Sequence, residues 1–134
     1  IDSHSSDFAA ILAVDATNDF QIDAYTPGQF GGRWNATGIG DATLMSGGPY
    51  TGPMILSVVF DRTGSGAATV YVSDTARATM PYTTAIDASV TLSVMANRAQ
   101  NAWISGGVAE LIVSGDITNR ADHHAYLSAK WGIS

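Results

Sequence analysis

Apolar residues in this chain recur in short runs broken by turn-forming residues. Phe8 to Val14 is a continuous apolar stretch of strand length, and Phe20-Gln21-Ile22-Asp23-Ala24-Tyr25 alternates with period two. Between them, Asp15-Ala16-Thr17-Asn18-Asp19 carries turn chemistry, because Asn and Asp tolerate a left-handed backbone and bond their own main chain. A hairpin is the simplest account. Gln29 to Asn35 is a third predicted strand with Phe30 and Trp34 on one face, and its Gly31-Gly32 pair predicts a bulge or a close backbone approach. Around Leu44, Met45 and Tyr50, glycine and proline dominate from Gly38 to Pro53, which predicts an extended loop or a short edge strand.

Met54 to Phe60 is the strongest predicted central strand, followed by an Asp61 to Gly66 turn and a partner strand from Ala67 to Val72. Val90 to Met95 alternates cleanly, and Gly107 to Val113 closes a series of six or seven strands. After Gly115-Asp116 the period changes to about 3.6. Ile117, Ala121, His124, Leu127 and Trp131 then share one stripe of a helix, with Thr118 as the expected N-cap and Gly132 as its stop. On that stripe Trp131 is expected to be a core plug that pins the helix to the strands. No repeat of fixed period and no linker divides the chain, so residues 1–134 read as a single antiparallel β-sandwich domain with one short C-terminal helix, all-β in class.

Length supports one core, since a chain of 134 residues buries roughly two thirds of the surface it exposes when unfolded. Charged residues make up only 13% against 46% hydrophobic, which argues against disorder and leaves a surface of Ser, Thr, Asn and Gly. The formal charge of −6, with basic residues dispersed, makes nucleic acid and anionic membrane poor partners. Cysteine is absent, which excludes disulfides and thiolate metal sites. No run approaches the ~18 apolar residues of a membrane span, so no membrane insertion is expected. The start, Ile1-Asp2-Ser3-His4, has neither an initiator Met nor the regions of a signal peptide, which fits a processed or truncated piece of something longer and equally fits removal of the Met alone.

The ending carries the most specific pattern: Gly106-Gly107-Val108-Ala109-Glu110-Leu111-Ile112-Val113, then Ala125-Tyr126-Leu127-Ser128-Ala129-Lys130-Trp131-Gly132-Ile133. It resembles the ending of laminin-G-like, concanavalin A-like jelly-roll domains of phage particles and bacterial surface proteins, in which a strand with a central Glu precedes a helix ending Y-L-x-x-K-W-G. Leu56 to Arg62 and Thr69 to Val72 resemble that family's strand-turn-strand. The resemblance covers residues 54–134 well and the rest loosely. It implies a concanavalin A-like sandwich whose usual first strand is either missing from this chain or supplied by another.

Catalytic chemistry is not assembled by these residues. Glu110 is the only glutamate, and a glycosidase of that fold needs two carboxylates on one strand about 5 Å apart; Glu110 is expected instead to sit partly buried near the helix, bonded to backbone. Asp15, Asn18 and Asp19 form an oxygen-rich turn that could hold calcium, although the spacing is not that of an EF-hand and a plain turn explains it. His123 and His124 point about 100° apart on a helix and make a poor metal pair, so His124 reads as a hydrogen-bonded core or interface residue. Ser65 lacks a nucleophile elbow and Gly38-Ile39-Gly40 lacks a dinucleotide fingerprint.

The aromatics leave a binding reading open. Trp34, Tyr50, Asn101 and Trp103 could form a loop surface for a glycan or a partner protein, because flat amphipathic rings serve both. The leading expectation is a non-enzymatic structural or adhesion module on a virion surface or outside a bacterial cell, without a cofactor, contacting other proteins or further copies of itself. A carbohydrate-binding module, gripping a cell-surface glycan, is the rival.

Overall fold

The computed structural model describes residues 3–4, 9–15, 19–26, 29–35, 43–44, 52–61, 63, 66–81, 91–95 and 104–133, and within the first fifty residues the side chain of Ile22 only. Strands dominate among them, and one helix follows at the C-terminal end. Two compact units emerge: Ile1–Tyr50 with Thr84–Gly107, and Thr51–Thr83 with Val108–Ser134. No helix among the described residues is long and apolar enough to cross a membrane.

In the first unit, β1 (Ser3–His4) pairs with the late strand Ile104–Ser105 as a two-residue ladder. Its main sheet is antiparallel and contains β2 (Ala9–Asp15), β3 (Asp19–Thr26), β4 (Gln29–Asn35), β5 (Thr43–Leu44) and Thr91–Val94, in the order β5, β4, β3, β2, Thr91–Val94. The turn residues Asp15 to Asp19 therefore join a hairpin, as the pattern predicts. Ile22 sits on the middle strand and is fully buried, opposed by Leu12 on one side and Gly32 on the other. The expected bulge at Gly31-Gly32 is not there. Both glycines keep regular register with β3 and meet the edge strand β5, while the extra residue is Tyr25, between the pairs at Ala24 and Thr26.

The second unit is built on β6 (Leu56–Asp61), β7 (Ala67–Val72) and β8 (Thr75–Pro81), an antiparallel sheet with β7 central. The remaining strands, Thr91–Val94 and Ile104–Ser105, are β9 and β10 in chain order. Burial on β7 alternates strictly, so Ala68, Val70 and Val72 face inward and, with Ile55 and Ala78, make the core. Asp61 stabilises the first turn by accepting from both the amide and the hydroxyl of Thr63, at 2.8 and 2.7 Å. The second turn is two residues long, Ser73-Asp74, with Ser73 at φ 52°, the left-handed backbone that tight hairpins demand. Arg77 is an extra residue on β8, which bends this edge strand, and Pro81 ends it where a missing N–H costs least.

One 3-10 turn, Ile117–Asn119, leads into α1 (Arg120–Trp131). Asp116 caps the 3-10 turn, its Oδ1 accepting from the Thr118 amide at 2.9 Å and from the Thr118 hydroxyl at 2.7 Å, and the N-cap of α1 is Asn119, without a side-chain cap bond, rather than the expected Thr118. The Thr118 hydroxyl is thus engaged with a carboxylate two residues earlier. Gly132 ends the helix as expected, at φ 66° with its N–H bonded to the Ser128 carbonyl at 2.9 Å.

Two expectations are corrected here. Gly107 to Val113 belongs to no strand ladder among the described residues, because a strand-like sequence does not specify which neighbour supplies the hydrogen bonds. Trp131 is 45% exposed and no residue of α1 is buried, so the tryptophan is not a core plug.

Candidate functional site

Polar chemistry in the second unit gathers at both ends of α1. At the C-terminal end, the carboxylate of Glu110 receives three side chains of the helix. Trp131 Nε1 donates to Oε2 at 3.0 Å, Tyr126 donates its hydroxyl to Oε1 at 3.2 Å, and Lys130 Nζ stands 3.1 Å from Oε2. Lys130 also donates to the Tyr126 hydroxyl at 2.8 Å, so the four groups form a closed network. Tyr126 and Lys130 reach it together because residues four apart lie on one helix face. The Trp131 indole N–H, then Lys130 and Tyr126, hold the Glu110 carboxyl below its usual range, while the bonds to Tyr126 and Glu110 push the Lys130 ammonium above its own.

Glu110 is thus partly covered, at 24% side-chain exposure, and its partners are side chains of the helix rather than the backbone expected from sequence. A carboxylate with three donors, kept ionised, is a fastener between the segment before the helix and the helix itself. It is poorly suited to give up a proton as a general acid.

At the other end, Arg120 Nη2 meets Asp74 Oδ1 at 2.5 Å, and the guanidinium carbon lies 4.2 Å from the centre of the Tyr71 ring. The β7–β8 turn and the first turn of α1 are joined there. Arg120, by hydrogen bond and by charge, holds the Asp74 carboxyl below its usual range, with a smaller contribution from His124. Arg120 Nη1 and His124 Nε2 are buried and have no hydrogen-bond partner among the described residues. His123 acts on Asp116 instead, after the Thr118 hydroxyl and amide that hold that carboxyl down. The two adjacent imidazoles thus serve different carboxylates, as their angular separation on a helix requires.

Of the residues singled out from sequence, Asp15 ends β2, Asp19 opens β3 and Trp34 lies on β4 opposite Phe20. Asn18, Tyr50, Asn101 and Trp103 lie outside the described residues. No group of three or more His, Asp or Glu side chains placed to hold a metal occurs among the described residues. Sequence reasoning missed the Arg120–Asp74–Tyr71 junction, which joins residues 46 and 49 positions apart. It had a better signal for Tyr126 and Lys130, whose i, i+4 spacing puts both beside Trp131. No protein-family model, curated protein or solved structure matches this chain.

Proposed function

We propose that this chain is a non-catalytic structural or adhesion module with a concanavalin A-like jelly roll, displayed on a virion or bacterial surface and working through contacts with other proteins. The observation that carries the proposal is the distribution of exposed apolar side chains. Among the side chains described, every large hydrophobic group that stands exposed lies between Val108 and Trp131, in the segment before the 3-10 turn, in that turn and in α1. Large apolar side chains left exposed within one stretch of chain are what a protein contact surface uses.

Two further features support it. Glu110, the only glutamate, is committed to three helix side chains, and the laminin-G-like ending of the sequence maps onto that same network, with Glu110, Tyr126, Lys130 and Trp131 as its members. The family's repeated residue types then serve to lock a helix to a neighbouring segment.

Incubation of the purified chain with polysaccharides, alongside a glycan array, tests this reading. The expected outcome is neither hydrolysis nor glycan retention. Hydrolysis would overturn it outright. Micromolar glycan binding lost in Trp103→Ala, with the fold intact by circular dichroism, would replace it with carbohydrate recognition.

A further inference from the structure

The covered side of α1 is its polar side. Arg120, His123, His124, Leu127 and Ser128 are the partly covered residues of the helix, and Leu127 is the only aliphatic side chain among them. Ala121, Ala125, Ala129 and Tyr126 are exposed, beside Asp122 and Lys130. A helix docked by apolar burial has the opposite distribution, with its apolar stripe inward and its polar face in water.

Two of the covered groups also stand without partners. Arg120 Nη1 and His124 Nε2 are closed off from solvent and make no hydrogen bond among the described residues. A polar atom taken out of water without a new partner destabilises the docked state, so both atoms favour release of the helix. The contacts that hold α1 are polar and lie at its two ends: Arg120 on Asp74 and on the Tyr71 ring at the first turn, and the Glu110 network with Tyr126, Lys130 and Trp131 at the last. Asp74 is largely exposed, and an ion pair so open to water adds little. The bonds from Thr118 and Asn119 to Asp116 are local to the turn that leads into the helix and give it no hold on the sheet.

We infer that α1 is a releasable strap, which opens as one unit from the β7–β8 turn and from Glu110 while the sheet of β6, β7 and β8 stays folded, an inference independent of the protein-contact reading above. Opening gives Arg120 Nη1 and His124 Nε2 to water and uncovers the face of the Tyr71 ring that Arg120 occupies. A free helix of 12 residues is marginal in water, so release and unwinding coincide and the helix amides exchange whenever the strap opens. β7 is held differently. It is the central strand, and its Ala68 and Val70 are fully buried, so its amides exchange only when the sheet itself unfolds.

Amide hydrogen exchange of the full chain, followed by NMR at neutral pH and rising urea, tests this. Helix amides from His124 onward are expected to exchange at least about tenfold faster than those of β7, after correction for intrinsic rates. Their rates should also rise less steeply with urea, because opening the strap exposes less surface than unfolding the sheet. Val70→Ala weakens a core that is intact in both the closed and the opened state. It should speed exchange in β7 and leave that of α1 unchanged. Glu110→Gln loosens the last turn alone, yet should speed exchange several-fold along the whole helix, His124 and Leu127 included. Equal rates and equal urea slopes for α1 and β7, or acceleration of both by Val70→Ala, would mean that the helix opens only with the sheet and would overturn the inference. Acceleration confined to the last turn in Glu110→Gln would overturn it too, by showing that the helix frays from its end.

Discussion

The indole N–H of Trp131 points at Oε2 of Glu110 across 3.0 Å, and this contact joins the last turn of the helix to a segment that no ladder holds among the described residues. The ring remains 45% exposed while it does so. A tryptophan in that position works through its polar edge as much as through buried area, which sets what its removal will do.

Trp131→Ala should destabilise the fold by about 1–2 kcal/mol, less than the roughly 3–5 kcal/mol of a fully buried tryptophan, because nearly half of the ring already lies in water. Trp131→Phe keeps most of the apolar contact and loses the donor. It should recover part of the stability, yet raise the Glu110 titration toward the ordinary carboxylate range. Denaturant midpoints and carboxyl-resolved NMR titration measure the two effects separately. A loss in Trp131→Ala as large as that of a core residue would show that the ring is more deeply held than its exposure implies.

Stability should form a plateau in pH with an arm at each side. Glu110, Asp74, Asp116 and Asp61 all have carboxyls held below their unfolded values, by Trp131, Arg120, Thr118 and Thr63 respectively as the leading causes. Their contribution is full above the unfolded carboxylate range, about pH 4, and disappears as pH falls through the lower folded values. Lys130 is raised, so its contribution is full below the unfolded lysine value and disappears as pH climbs through the higher folded one. Urea midpoints measured from pH 2 to pH 11 should show both arms. In Glu110→Gln the acid arm should shrink and the alkaline arm should move to lower pH; an unaltered acid arm would mean that the network does not fasten the folded state.

Local chemistry was legible in the sequence and long-range pairing was not. The β6 and β7 strands and the turn between them follow directly from apolar alternation around Asp61 to Gly66, and α1 from its 3.6 period and its glycine stop. β8 was not legible, because Thr75-Ala76-Arg77-Ala78-Thr79-Met80-Pro81 lacks strong apolar alternation and becomes a strand only by pairing with β7. The reverse holds for Gly107 to Val113, which is rich in strand-forming Val, Leu and Ile and whose ladder partner is absent among the described residues. The helical stripe through Trp131 predicted a helix correctly, but periodicity does not say what the stripe packs against. As for the candidate site, Glu110 was placed near the helix from the chain pattern, whereas its three donors depend on tertiary geometry.

Gly132 offers a test of backbone strain free of side-chain crowding. It sits at φ 66°, and a Cβ added there would meet nothing within 4 Å. Gly132→Ala should therefore cost about 1 kcal/mol, the steric penalty of left-handed backbone alone. Asparagine tolerates that region better, so Gly132→Asn should cost less than the alanine variant. Thermal unfolding of the two variants gives the ranking; an alanine variant as stable as the parent would mean that the helix end relaxes to another conformation.

Arg120 meets two partners of different chemistry, and their contributions are separable. Asp74 is 65% exposed in its side chain, and a solvent-facing ion pair adds little stability once salt screens it. The face of Tyr71, 4.2 Å from the guanidinium carbon, is less sensitive to salt and depends on the flat shape of arginine. A double-mutant cycle between Arg120→Lys and Tyr71→Leu should therefore return a coupling of about 0.5–1 kcal/mol that survives high salt. The cycle between Arg120→Lys and Asp74→Asn should return a smaller coupling that fades as salt rises. If the salt-sensitive cycle proved the larger, the helix would be held to the β7–β8 turn by charge, and the ring would serve only as a neighbour.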